Sequence, residues 1–288
     1  MSPEPILAAS LGRFPWMPVA WISVLLIVCF APVLQGMVLD WMNNDDMGHG
    51  FFVPVLALWI VWTRKDTLLQ LPMRPNAWGL VLVLLGAAQL IAGTLGAELF
   101  VSRTAFLVSL SGILLYAGGT PLLRVLAFPL FLLLFMVRIP AILYSQITFP
   151  LQIFASSVAE HLLWMIGIPV LREGNILELS SQRLSVVEAC SGIRSLLSLS
   201  FLSLIYAHSF DSKVWMRGAL LVATVPIAVA ANAFRVTLTG VLSEYNPELA
   251  QGFIHSAEGW IIFLISMIIL IAVHKAINLA YGAFRTPR

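Results

Sequence analysis

Charge is what this chain has least of. Asp, Glu, Lys and Arg make up only 10% of its 288 residues against 60% hydrophobic ones, and the mean hydropathy is +0.94. A soluble domain carries roughly 45–50% apolar residues and about 25% charged ones, so a water-soluble globule is excluded. Cysteine is almost missing too. Cys29 sits midway along one apolar run and Cys190 at the edge of another, which offers no disulfide framework. The net charge is only +2, and no basic run or stripe of Lys and Arg interleaved with aromatics appears, so nucleic acid is not an expected partner. There is no His-Glu-x-x-His helix, no Gly-x-Ser-x-Gly elbow and no Walker loop, and metalloprotease, serine hydrolase and nucleotide-driven pump all lose their usual markers. His255 and Glu258 alone do not make a metal site. No metal and no cofactor is expected, and no repeat of 20 to 50 residues stands out.

What is there is a succession of apolar runs long enough to cross a bilayer, separated by short polar links. That pattern predicts an all-α, polytopic helical membrane protein rather than a barrel, whose strands would alternate. The expected spans are Trp16 to Leu39, Gly50 to Trp62, Trp78 to Leu95, Leu99 to Ala117, Pro121 to Val137, Gly192 to Ala207, Trp215 to Leu238 and Gly259 to Val273, about eight transmembrane helices in a single membrane domain over residues 1–288. The first run is too long for a signal peptide and reads as one retained helix. With all eight crossing from a cytoplasmic N-terminus, Arg13, Arg64, Lys65, Arg74, Arg124, Lys213, Arg217, Lys275, Arg285 and Arg288 fall inside, ten of the sixteen basic residues. Most acids fall outside. The basic bias places both termini in the cytoplasm.

The longest external segment is 138–190, between the fifth and sixth spans. Ala141 to Ile168 mixes apolar residues with Ser145, Gln146, Gln152, Ser156, Glu160 and His161 and predicts an external amphipathic helix, bent at Pro150. Beyond Pro169 the period changes to two. Asn175, Leu177 and Leu179, then Leu184, Val186 and Glu188, flank Ser180 to Arg183 as a small β-hairpin that delivers the chain to Cys190.

Cys190 lies in Val186-Val-Glu-Ala-Cys-Ser-Gly-Ile-Arg-Ser195, at the start of a new apolar helix. The positive end of the helix dipole and Arg194, one turn on, both favour the thiolate, the form that acts as a nucleophile. Glu188 shares a strand face with Cys190 and opposes ionisation, so it needs a cation, for which Arg194 is the natural choice; a purely structural ion pair is the alternative. Asn232-Ala-Phe-Arg235 puts an arginine into the seventh span near its outer end, where a charge is costly and functional by default, unless it snorkels to the interface. His255-Ser-Ala-Glu-Gly-Trp260 puts a histidine at the outer edge of the eighth. Cys190, Arg235 and His255 thus come out at the outer ends of three consecutive helices. A nucleophile, a proton shuttle and an oxyanion donor are what thiol acyl transfer requires. His49 in Asp45-Asp-Met-Gly-His-Gly50 shares that side and, with Trp260, is a candidate for a substrate groove.

On these residues, from Trp41–Gly50 through Glu188-Ala-Cys-Ser-Gly-Ile-Arg-Ser195 and Asn232-Ala-Phe-Arg235 to His255-x-x-x-Gly-Trp260, the chain resembles the exosortase/archaeosortase family, membrane enzymes with eight predicted spans that process proteins carrying a C-terminal sorting signal. The resemblance implies that Cys190 is the acyl-thioester nucleophile, Arg235 the proton donor and His255 the transition-state stabiliser, with histidine at that last position typical of the bacterial branch. A guanidinium with a pKa above about 12 is a better oxyanion clamp than general acid, so both roles stand open for Arg235. Implied partners are exported proteins ending in a Pro-Glu-Pro motif, a transmembrane helix and a basic tail, in bacteria that make exopolysaccharide, with the membrane lipid around them. The extra C-terminal soluble domain of some members is not expected after Arg285-Thr-Pro-Arg288, and a separate soluble partner protein would supply it. The expected place is the bacterial inner membrane, with the active site on the periplasmic side. A competing class is a non-catalytic component of exopolysaccharide export whose polar pathway is lined by Cys190, Arg235 and His255; it would tolerate Cys190→Ser, and a thiol nucleophile would not. A proton-coupled transporter expects acids or histidines at the midplane of the spans, and the assigned spans carry none there.

Overall fold

The computed structural model describes residues 16–186, 192–211, 213–246 and 252–285. The chain divides into two compact units, Met1–Arg138 and Ile139–Arg288. Both are helical, and the second also holds a three-stranded antiparallel sheet. Among the described residues five helices are long and apolar enough to cross a membrane, and six if one bent pair is a single span. The protein is a helical polytopic membrane protein. That count takes Leu99–Met136 as one helix and does not confirm the expected number of eight crossings.

In the first unit, the expected single helix from Trp16 to Leu39 is instead α1 (Trp16–Cys29) and α2 (Ala31–Asn43), bent by 68° at Phe30. Pro32 explains the correction: it stands in the first turn of α2, where a missing N–H costs nothing, and prevents the two helices from running on as one. A 3-10 turn, Asp45–Phe51, leads into α3 (Phe52–Thr63), so the short second run becomes long and apolar enough to cross as Asp46–Thr63. A one-and-a-half-turn helix α4 (Lys65–Gln70) follows.

Helices α5 (Trp78–Leu95) and α6 (Leu99–Leu132) form the tightest pair of this unit. Gly79, Gly86 and Gly93 repeat every seven residues along α5 and are all buried. They meet Gly112, Ser109, Ala105 and Ser102 on α6 so closely that a Cβ on Gly93 would stand 2.6 Å from the Ser102 backbone nitrogen. Small residues on both sides let the backbones approach, which is how helices gain dispersion energy where lipid removes the hydrophobic drive. The stretch Leu99–Met136 has 38 residues, about 57 Å if straight, nearly twice a hydrocarbon core. Gly119 divides it. Its φ of 73° and ψ of −166° are closed to a residue with a side chain, and the two arms on either side match the fourth and fifth expected spans.

In the second unit α7 (Ala141–Met165) continues through Pro150. The expected hairpin is present as β2 (Ile176–Leu179) and β3 (Arg183–Ser185), joined by a strand the sequence reading missed, β1 (Val170–Glu173), in the order β1-β2-β3. Gly174, with φ of 65°, turns β1 into β2 and is the signal that would have found it. Ser156 of α7 donates to the Gly174 carbonyl at 2.9 Å, and Arg172 of β1 pairs with Glu160 at 2.8 Å. Three helices complete the unit: α8 (Gly192–Phe210), α9 (Val214–Tyr245) and α10 (Gly252–Arg285).

Candidate functional site

Helices α8, α9 and α10 run alternately up and down, so the start of α8, the second half of α9 and the start of α10 belong to one end of the unit. Side-chain contacts set the register. Ser200 of α8 meets Thr224 of α9 at 3.2 Å, and Leu196 lines a small pocket with Leu151 of α7 and Ala228, Val229 and Asn232 of α9. Continuing those pairings by one turn brings the first residues of α8 level with Arg235.

The sheet arrives at the same place. Val170, Leu177, Leu184 and Val186 share one buried cluster with Ala159 and Leu163 of α7 and Val236 of α9. Val186 is fully buried, and its N–H donates to the Asn175 carbonyl at 3.0 Å. Gln182 at the hairpin turn donates to Ser243, about two turns beyond Val236 along α9. Residues 187–191, with Glu188 and Cys190, lie outside the described residues. On either side of them, Val186 packs with Val236 of α9 and Leu196, just past the first turn of α8, lines a pocket with Asn232.

The third element, α10, meets α9 at that height. Thr239, one turn after Arg235, donates its hydroxyl to Glu258 at 3.1 Å to each carboxylate oxygen. Glu258 is buried at 6% exposure. The Arg235 guanidinium lies against Gly259: a Cβ there would be 3.1 Å from Cζ and Nη2 and 3.4 Å from Nη1. His255 is placed by the backbone of α10 three residues before Glu258 and four before Gly259, hence on the same helix face; its side chain lies outside the described residues. Thr239, Glu258 and Gly259 were given no role from the sequence: Thr239 carries no motif, and Glu258 and Gly259 stand in the His255-x-x-x-Gly-Trp260 segment without showing what they touch.

The remaining sequence candidates divide. Asn232 is buried and lines the small pocket beside α8. Arg194 is exposed, and so is Trp260, at 70%. His49 belongs to the first unit, where its Nε2 is hydrogen-bonded to the Phe135 carbonyl at 3.0 Å, while Trp41 Nε1 donates to the Met136 carbonyl at 3.0 Å. Those two side chains satisfy carbonyls that the 3-10 turn Leu133–Met136 leaves open.

The opposite end of α8–α10 holds a second polar cluster. Asp211, between α8 and α9, is hydrogen-bonded to His274 Nε2 at 3.0 Å and accepts from Asn278 at 3.1 Å and from the Lys213 N–H at 2.8 Å. The Tyr206 hydroxyl is hydrogen-bonded to His274 Nδ1 at 2.9 Å. Among the described residues no group of three His, Cys, Asp or Glu is arranged to hold a metal.

An intramembrane arginine held on a glycine backbone, a buried carboxylate beside it and a helix start at the same level make a polar site inside an apolar bundle. Comparison with curated proteins and with solved structures returns no match. The family model described as transmembrane exosortase (Exosortase_EpsH) matches residues 41–272. That match takes in both units and every element of the site, and the chain belongs to the transmembrane exosortase family.

Proposed function

We propose that this protein is a membrane-embedded cysteine protease or transpeptidase that removes the C-terminal sorting signal of exported proteins. Cys190 Sγ, as the thiolate, attacks the carbonyl carbon of the scissile peptide bond. The C–N bond breaks, the departing amine takes a proton, and the upstream part of the substrate is held as a thioester. Water then releases it, or an amine or hydroxyl acceptor takes it over, and the thiolate returns. Arg235 clamps the developing oxyanion or gives the proton, and His255 stabilises the transition state or shuttles the proton. The observation that carries this reading is the convergence of Val186 and the start of α8 on the segment of α9 that bears Arg235, with α10 packed at the same height.

The substrates proposed are proteins ending in a Pro-Glu-Pro motif, a transmembrane helix and a basic tail. Their helix lies beside the bundle in the bacterial inner membrane, with the scissile bond at the periplasmic surface and the tail in the cytoplasm. The distribution of Lys and Arg supports that orientation, with both termini of this chain cytoplasmic.

The test is co-expression with a tagged substrate of this kind, comparing wild type with Cys190→Ala for tail removal and for a hydroxylamine-sensitive adduct. Processing and adduct in the wild type, both lost in the variant, are expected. Unaltered processing by Cys190→Ala would move the polar-pathway reading to the front.

A further inference from the structure

An arginine is a costly catalytic group to hold ready. Its side chain carries about 2 kcal/mol of rotamer entropy, and a guanidinium that wanders costs orientation at each turnover. In α9 and α10 the chain answers with a glycine. A Cβ on Gly259 would stand 3.1, 3.1 and 3.4 Å from Cζ, Nη2 and Nη1 of Arg235. Three nearly equal distances mean that the guanidinium plane faces that point rather than touching it with an edge, so the group lies flat on the α10 backbone where Gly259 has no side chain. One turn along α9, the Thr239 hydroxyl bonds both oxygens of the neighbouring Glu258 and fixes the height of α10 against α9.

We infer that Gly259 is a positioning residue: its missing side chain forms the seat on which the Arg235 guanidinium lies, and the Thr239–Glu258 bond keeps that seat at the level of the guanidinium. Seating the cation flat leaves its donor edge to meet an oxyanion in one orientation. The glycine between Glu258 and Trp260 is there for Arg235 and not for helix flexibility. The inference rests on the proposed reading only for the reaction that Arg235 serves; the seat itself is a property of two packed helices.

A double-mutant cycle tests it. In the full chain purified in detergent, Gly259→Ala lowers the melting temperature when Arg235 is present. In an Arg235→Ala background the same change leaves it unchanged or raises it, because alanine is the better helix former once nothing occupies the space. An equal shift in both backgrounds overturns the seat. For sorting-signal cleavage, Gly259→Ala lowers kcat several-fold with KM little changed, since the guanidinium must give by a fraction of an ångström and a full displacement of about 1 Å costs up to ~10²-fold, and Arg235→Ala/Gly259→Ala is no slower than Arg235→Ala. Further loss in the double variant overturns the positioning role. Failure of the wild type to cleave any sorting-signal substrate refutes the proposed function instead, and the melting cycle still decides the seat.

Discussion

Thr239 and Glu258 are joined across two helices by one hydroxyl that reaches both carboxylate oxygens at 3.1 Å, one turn from Arg235 and next to the glycine under its guanidinium. The bond makes Glu258 a buried part of the α9–α10 packing.

Removing its donor should therefore hurt more than a methyl-for-hydroxyl swap suggests. Thr239→Val keeps the shape and leaves a buried carboxylate with one donor fewer, at a cost of about 1–3 kcal/mol. Thr239→Ser restores the hydroxyl and should recover most of it. Thermal unfolding of the three proteins in one detergent decides; equal stability of Val and Ser variants would show that the bond contributes nothing.

Arg103 and Asp40 form an ion pair at 2.7 Å between α6 and α2, with side chains 4% and 24% exposed. A single truncation leaves one charge stranded in an apolar unit, so Arg103→Leu or Asp40→Leu alone should cost about 3–5 kcal/mol, whereas the double leucine variant should be close to wild type. Denaturation of the four proteins in one cycle measures the coupling, and additive losses would refute it.

The α5–α6 contact makes an opposite prediction for two glycines. Gly93→Ala drives a methyl into the Ser102 backbone, at about 1–3 kcal/mol. Gly36 in α2 has nothing within 4 Å of where a Cβ would stand, and Gly36→Ala should be neutral or stabilising by up to about 1 kcal/mol. Melting temperatures that moved in the same direction for both would contradict the small-residue seam.

At the other end of α8–α10, burial alone would raise the Asp211 carboxyl, but hydrogen bonds from His274, the Lys213 N–H and Asn278 and the charge of Lys213 outweigh it, and the group ionises below the usual carboxylate range. A depressed carboxyl stabilises the fold fully above its unfolded pKa of about 3.9 and loses that contribution as the pH falls below it through the lower folded value. Asp211→Asn should lower the melting temperature at neutral pH and flatten its decline below about pH 4. A parallel decline in both proteins, followed by circular dichroism, would mean that Asp211 does not carry the acid sensitivity.

The helices were legible because a run of about 20 apolar residues has few other fates. Trp78–Leu95 is bounded in the structure where the sequence bounds it. The bend at Phe30 was not read, since Pro32 is equally at home at a helix start and at a helix break. Strand β1 was missed because four residues, Val170–Glu173, are too few to show a period; only the glycine turn after them marks it.

The candidate site divides in the same way. Arg235 stood out unaided, because a charge in an apolar run is expensive wherever the helix goes. Thr239 could not stand out, and Gly259, though part of the His255-x-x-x-Gly-Trp260 segment, could not show its task. A glycine is a seat only when a particular guanidinium lies on it, and a threonine is a donor only when a particular carboxylate faces it. Glu258 shows the same limit: an acid near a span end is solvated or buried according to its neighbour on another helix.

Composition and the spacing of apolar runs thus determined by themselves that this chain is a helical membrane protein, and the motif around Cys190 with Arg235 determined where its chemistry was to be sought. Which face of α9 meets which face of α10, and therefore that Arg235 rests on Gly259 beside the Thr239–Glu258 bond, was decided only by tertiary packing. Burial, seating and hydrogen bonding are properties of pairs of residues distant in the chain, and a sequence read along its length shows each member without the other.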